Sequence, residues 1–265
     1  KMNPIKKILF QYGIPFIGRL CYSKNKYVNV IYYHDIVQGK GNSFQQTNIN
    51  VFKRQMEYIA SHGYKTFRFD DLNNETIKYD PKTVVIAFDD GWKSNYIEIY
   101  EFMKSLGIKY SIYLAVKEIG VNPDYLTWKQ VWQMHNEGLV GFGTHTYTHP
   151  HVNSIDNIDV NVEFNKADSI FKDHLGYQPL DFCYPYGTYT NETNEYISRK
   201  LLYKRIYTSD LMYSYSLNGK IIFGRNGING EEPFGVFVSK LKGYYNVWMS
   251  IIKRYERGIY YKKSR

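Results

Sequence analysis

Cysteine is scarce in this sequence: two residues, Cys21 and Cys183, lie far apart in a chain of 265. Two cysteines make no disulfide framework, and no CxxC pair exists, so a cysteine-built zinc module is excluded. The redox compartment stays open. No apolar run reaches the roughly 18 residues that a membrane-spanning helix needs. Residues 8–20 follow Lys6-Lys7 as a secretory leader would, but Gln11, Gly13, Pro15 and Gly18 interrupt them. No clean signal peptide is read. Internal repeats, low-complexity tracts, interdomain linkers and nucleic-acid motifs are absent, and no histidine follows Gly187.

What is present describes a globular chain with a sizeable core, 43% hydrophobic and 22% charged. Its 28 tyrosines would suit core packing or a sugar-binding groove. The net charge is +9, and much of the basic excess lies at the two ends. Lys1, Lys6, Lys7, Arg19, Lys24 and Lys26 are at one; Lys253, Arg254, Arg257, Lys262, Lys263 and Arg265 are at the other. Such ends are either solvated surface or a peripheral contact with anionic lipid. The compartment is therefore left open between membrane-associated cytoplasmic and exported cell-surface.

Strand and helix patterns alternate, which implies a mostly parallel sheet wrapped by helices, with six to eight strands and a barrel as the expected form. Val28–Tyr33 and Val84–Phe88 read as buried strands, and Tyr110–Val116, Leu139–Phe142, Asp181–Tyr184, Lys204–Thr208 and Ile221–Arg225 follow. Asn50 is expected to cap a helix over Val51–Ser61, and Thr127 one over Trp128–Glu137. Further helices are expected near Tyr96–Leu106, Val160–His174 and Glu192–Leu202, with a long basic one over Phe234–Tyr255.

Polar residues gather where strands end: His34-Asp35, Asp89-Asp90, His145 to His149 and Tyr184 to Gly187. In parallel α/β folds these ends share one face, where sites form. Two carboxylates at the mouth of a buried strand repel each other, a cost that a cation or a reacting proton would offset. His145 and His149, four apart, would reach one ion if they lay on a helical turn. Two imidazoles and a carboxylate suit zinc, with cobalt, nickel or another first-row divalent metal as alternatives.

Phe88-Asp89-Asp90-Gly91, His145-Thr146-Tyr147-Thr148-His149 and Tyr184-Pro185-Tyr186-Gly187, in that order, resemble three motifs of the polysaccharide deacetylase (NodB-homology, carbohydrate esterase 4) family. The resemblance implies a distorted (β/α) barrel over residues 28–228, with residues 1–27 a basic aromatic extension and 229–265 a basic helical one. It implies metal-dependent hydrolysis of N-acetyl groups in an N-acetylated polysaccharide or oligosaccharide, with no nucleic-acid partner. It assigns Asp89 as base, Asp90, His145 and His149 as metal ligands, and the Tyr186 N–H as an oxyanion donor. The late acid histidine of many members is missing, and Cys183 stands where many carry arginine. Both departures resemble the branch acting on poly-β-1,6-N-acetylglucosamine, which implies His34 as acid and Arg225 as the residue orienting Asp89. Trp92, Tyr147 and Tyr184 are candidates for stacking on sugar rings. An O-acetyl esterase and a non-catalytic glycan-binding domain remain the alternatives.

Overall fold

The computed structural model describes residues 7–41 and 45–249. Its strands are β1 (Asn29–Tyr33), β2 (Asp35–Val37), β3 (Gln46–Asn48), β4 (Lys65–Phe67), β5 (Thr83–Phe88), β6 (Tyr110–Leu114), β7 (Val140–Thr144), β8 (Asp181–Cys183), β9 (Arg205–Tyr207), β10 (Tyr215–Leu217), β11 (Lys220–Phe223) and β12 (Asn226–Gly227). The main sheet runs β10-β11-β9-β8-β7-β6-β5-β1-β12, with β4 also on β5. Every pairing in it is parallel except the β10–β11 hairpin. Strand β11 pairs with β9 at one end, and β12 pairs with β1 at the other. Only Gly224 and Arg225 separate β11 from β12, so this bent segment carries the sheet round into a distorted barrel. Gly224 is needed at the bend, because a Cβ there would come 2.3 Å from the Met212 carbonyl oxygen.

The continuous apolar run of β5 reflects burial on both faces. Val84, Ile86 and Phe88 pack outward with Phe52, Met56 and Met103 of the helical layer. Val85 and Ala87 point inward, with Tyr32, Tyr113, Tyr207 and Phe223. The two-residue period of a strand sorts these side chains to the two sides.

Several expected boundaries shift. The helix of residues Ile49–Ser61 starts earlier than read, because Asn48, not Asn50, accepts the first free N–H groups. The expected helix over Tyr96–Leu106 divides into Ser94–Ile97 and Tyr100–Ser105. Thr127 does cap Trp128–Asn136, with a reciprocal bond to Gln130. The long C-terminal helix is cut short. Phe234–Leu241 stops before Gly243, whose φ of 70° is left-handed, and Tyr244–Val247 forms a single tight turn. The remainder of that expected helix, from residue 250, lies outside the described residues, as do Lys1, Lys6 and the basic residues from Lys253 onward.

Candidate active site

The C-terminal ends of β1, β5, β7 and β8 meet at one end of the barrel. Strand β5 stops at Phe88, and the chain turns through Asp90 and Gly91 at φ 74° and 85°. Gly91 has no room for a side chain, since a Cβ would lie 2.9 Å from Ile119 and 3.0 Å from Leu114. Asp tolerates the left-handed region better than most residues, and this turn sends Asp89 and Asp90 to different partners.

Asp89 accepts two parallel hydrogen bonds from Arg225, Nη1 to Oδ1 at 2.7 Å and Nη2 to Oδ2 at 2.8 Å. Arg225 is fully buried, donates from Nε to the Thr208 carbonyl at 2.8 Å, and lies over the Tyr32 ring at 4.1 Å. Burial alone would raise the Asp89 pKa, but the Arg225 guanidinium outweighs it and holds the carboxyl below its ordinary value. His34 Nε2 stands 3.9 Å from Asp89 Oδ2.

Asp90 faces the two histidines. Its Oδ1 is 3.6 Å from His145 Nε2 and 3.2 Å from His149 Nε2, and its Oδ2 accepts from Trp92 Nε1 at 3.0 Å. His145 donates from Nδ1 to the Cys183 carbonyl at 2.8 Å, which leaves the Nε2 lone pair turned toward Asp90. Burial lowers the His145 pKa to about 4, so its imidazole is neutral and able to ligate at neutral pH. His149 Nε2 is buried and makes no well-aligned hydrogen bond, with Asp90 Oδ1 as its neighbour at 3.2 Å. Donor atoms of Asp90, His145 and His149 all lie within 4.8 Å of one another. Ligands on one tetrahedral zinc ion are about 3.4 Å apart, so the triangle and this nitrogen fit a divalent metal. Asp89, His145 and Cys183 also cluster. They suit an ion less well, because Arg225 occupies Asp89 and burial pushes the Cys183 thiol pKa well up.

The two histidines do not share a helical turn, contrary to the reading of their spacing. Residues His145–His149 form a loop with left-handed Thr146 and His149, φ 65° and 61°. Glu163, buried on a wide helical turn at Asn161–Lys166, clamps this loop. It accepts from Thr148 N at 2.9 Å and Thr148 Oγ1 at 2.6 Å.

A cavity of about 220 Å³ opens over these groups, lined by His34, Asp89, Asp90, His145, His149 and Tyr186. Residues 76–205 match the family model described as polysaccharide deacetylase. YxkH of Bacillus subtilis (strain 168), described as a polysaccharide deacetylase, is 28% identical over 167 residues. That match covers 62% of this chain and 58% of YxkH, so the chain spans less than two thirds of its relative. Streptococcus pyogenes deacetylase PplD, solved in complex with acetate, superposes with a TM-score of 0.71 at 20% identity, over 82% of this chain and 99% of that one. IcaB from Ammonifex degensii gives 0.64 at 21%, over 83% and 97%. At these identities the solved structures show the fold alone, a NodB-like distorted barrel of mostly parallel strands.

In this barrel three expected sugar-stacking residues lie off the cavity lining. Tyr184 is fully buried, donates to Asn194 Oδ1 at 2.8 Å and stacks on Tyr189, so it cannot meet a sugar. Tyr147 packs against the outer core under Lys166. Trp92 stacks on Tyr125 and holds the second oxygen of Asp90. Tyr186 is the aromatic ring at the rim; it is 57% exposed and left-handed at φ 56°, with its ring on His151 at 4.2 Å. The cavity also includes Tyr32, Gln45 and Ser209, which carry no motif signal. Burial pushes the Tyr32 hydroxyl up to about 12, and Ser209 hydrogen-bonds it.

Proposed function

We propose that this chain is a metal-dependent N-deacetylase acting on N-acetylhexosamine units of a polysaccharide, with poly-N-acetylglucosamine as the substrate type. The observation that carries this reading is the division of the two carboxylates: Asp90 joins His145 and His149, while Arg225 holds Asp89 apart beside the same cavity. A divalent metal held by Asp90, His145 and His149 would polarise the acetyl carbonyl and acidify bound water. Asp89, kept ionised by Arg225, takes the proton from the attacking water. The Tyr186 N–H supports the developing oxyanion.

An amide nitrogen leaves as an amine only once protonated, so the reaction needs an acid, which an ester would not need to the same degree. His34 lines the cavity beside Asp89 and supplies that proton. This arrangement, with an early histidine and the late Arg225, favours the poly-N-acetylglucosamine branch and the N-acetyl over the O-acetyl reading. Acetate release from partly N-acetylated glucosamine oligomers tests it. Chelation should abolish release, and zinc or cobalt should restore it. His34→Ala should slow release of acetate from amides more than from activated acetyl esters. Equal slowing on both would remove His34 from the acid role.

A further inference from the structure

We infer that the N-terminal helix is a membrane-docking element that seats the barrel on an anionic lipid surface. The helix of residues Ile14–Cys21, with the wider turn Leu9–Gly13 before it, is apolar on two opposite sides. One side is covered. Ile14 is buried with Val236, Tyr245 and Val247, and Gly18 sits so close that a Cβ would be 1.8 Å from the Tyr244 carbonyl oxygen. This contact fixes which side faces out. The outward side carries Ile8, Leu9, Tyr12, Phe16 and Leu20, each between 47% and 70% exposed. Scattered exposed apolar residues are ordinary, but a five-residue stripe along one helix marks an interaction surface.

Charge selects the partner. The first 34 residues contain six lysines and arginines and no aspartate or glutamate. Lys7, Arg19, Lys24 and Lys26 are exposed on or beside the stripe. An apolar stripe flanked by cations of one sign is the pattern of an interfacial helix on anionic lipid. Where the helix ends, a cavity of about 550 Å³ is lined by Arg19, Lys82 and Lys242 together with Tyr22, Tyr64 and Tyr244, and no carboxylate is among its described lining residues. It suits a lipid phosphate. The helix start lies beside Asn229 and Glu232, past the catalytic end of β12, and its end lies beside Tyr64 and Lys82, at the opposite end of the barrel. The helix thus runs along the barrel wall, and a bilayer on the stripe would lie along that wall with the catalytic mouth opening beside it.

Vesicle flotation of the 265-residue chain tests this without reading catalysis, so it stands or falls apart from the deacetylase assignment. The probes are phosphatidylcholine vesicles and the same lipid with about 30% phosphatidylglycerol. The expected result is binding to the anionic vesicles, weakened by salt. Phe16→Ser/Leu20→Ser should lower the bound fraction at least about tenfold, with circular dichroism unchanged. Arg19→Glu/Lys24→Glu should lower it comparably. Equal binding to neutral vesicles, or equal flotation of parent and variants, overturns the inference. So does a parent that ignores vesicles but forms a dimer that Phe16→Ser/Leu20→Ser dissolves, because a second copy would then cover the stripe.

Discussion

Two buried arginine–aspartate pairs sit at opposite ends of the barrel, and one of them sets its carboxylate on the wall of the cavity described above. At the end that carries the cavity Arg225 holds Asp89 through both Nη atoms. At the other end Arg205, at the start of β9, holds Asp181, at the start of β8, from Nε at 2.5 Å and Nη2 at 2.7 Å. The electrostatic outcome differs. Arg225 outweighs burial and lowers the Asp89 pKa, whereas burial keeps Asp181 above its ordinary value in spite of Arg205. The surroundings explain why. Asp89 also feels His145 and His34, while Asp181 feels the negative charge of Asp70, which adds to burial against the hydrogen bonds from Arg205 and Tyr207. A buried ion pair is therefore no mark of function in itself. What distinguishes the pair proposed as catalytic is a carboxylate held ionised at a cavity wall beside a triangle of donor atoms that fits a metal.

The largest effect expected at either pair is on catalysis. Asp89→Asn keeps the shape and an acceptor for Arg225 but removes the base, and should cut acetate release about 10³-fold. Metal content should stay near that of the parent, since Asp90, His145 and His149 are untouched. Activity within about tenfold of the parent would move the base elsewhere. Asp181→Ala is the counterpart: it leaves Arg205 buried without its partner and should cost about 3–5 kcal/mol of stability in denaturant unfolding. Acetate release per folded molecule should not change. Loss of activity without loss of stability would undo the contrast between the two ends.

Arg225→Lys and Arg205→Lys sharpen it further. Lysine keeps the charge but cannot make the two-pronged contact. At Arg225 the expected loss is about 10- to 100-fold in kcat, because Asp89 is no longer held at one angle. At Arg205 the same change should lower Tm with kcat intact. Equal behaviour of the two variants would mean that orientation of Asp89 does not matter.

The sequence made some of this contrast legible and hid the rest. Strand β5 was readable because burial on both faces forces an unbroken apolar run, and the polar residues after it had to lie at the end of the barrel where the C-terminal strand ends meet. The His145/His149 spacing was readable as a ligand pair, but its geometry was not. Non-glycine residues at positive φ leave no local signature, and here they depend on Glu163, fourteen residues beyond His149. The partnership of Asp89 with Arg225, 136 positions apart, was reachable only through the family resemblance. Tyr184 was misread because a tyrosine beside a motif looks the same whether it faces sugar or core. Gln45 and Ser209 gave no signal, being polar residues in loops.

Asp168 is a buried carboxylate with no cation among the described residues that shift its pKa, which isolates the effect of burial. Asp168 accepts from the Tyr203 hydroxyl at 2.9 Å, and burial raises its pKa to about 7. The folded protein therefore binds this proton more tightly than the unfolded chain. Below about pH 4 both states hold it and its stabilising effect is complete. Between about pH 4 and pH 7 the unfolded chain releases it first, so stability falls as pH rises, and above pH 7 the loss is complete. The size of the shift sets a ceiling of about 4 kcal/mol, and water penetration brings the expected difference to about 1–2 kcal/mol. Asp168→Asn keeps the acceptor for Tyr203 and cannot ionise. Measured at pH 5 and pH 8, the variant's Tm should gain on the parent's by a few degrees across that interval. Parallel Tm curves would mean that Asp168 ionises inside the fold as it does in water, and that Asp89 needs no cation to stay charged.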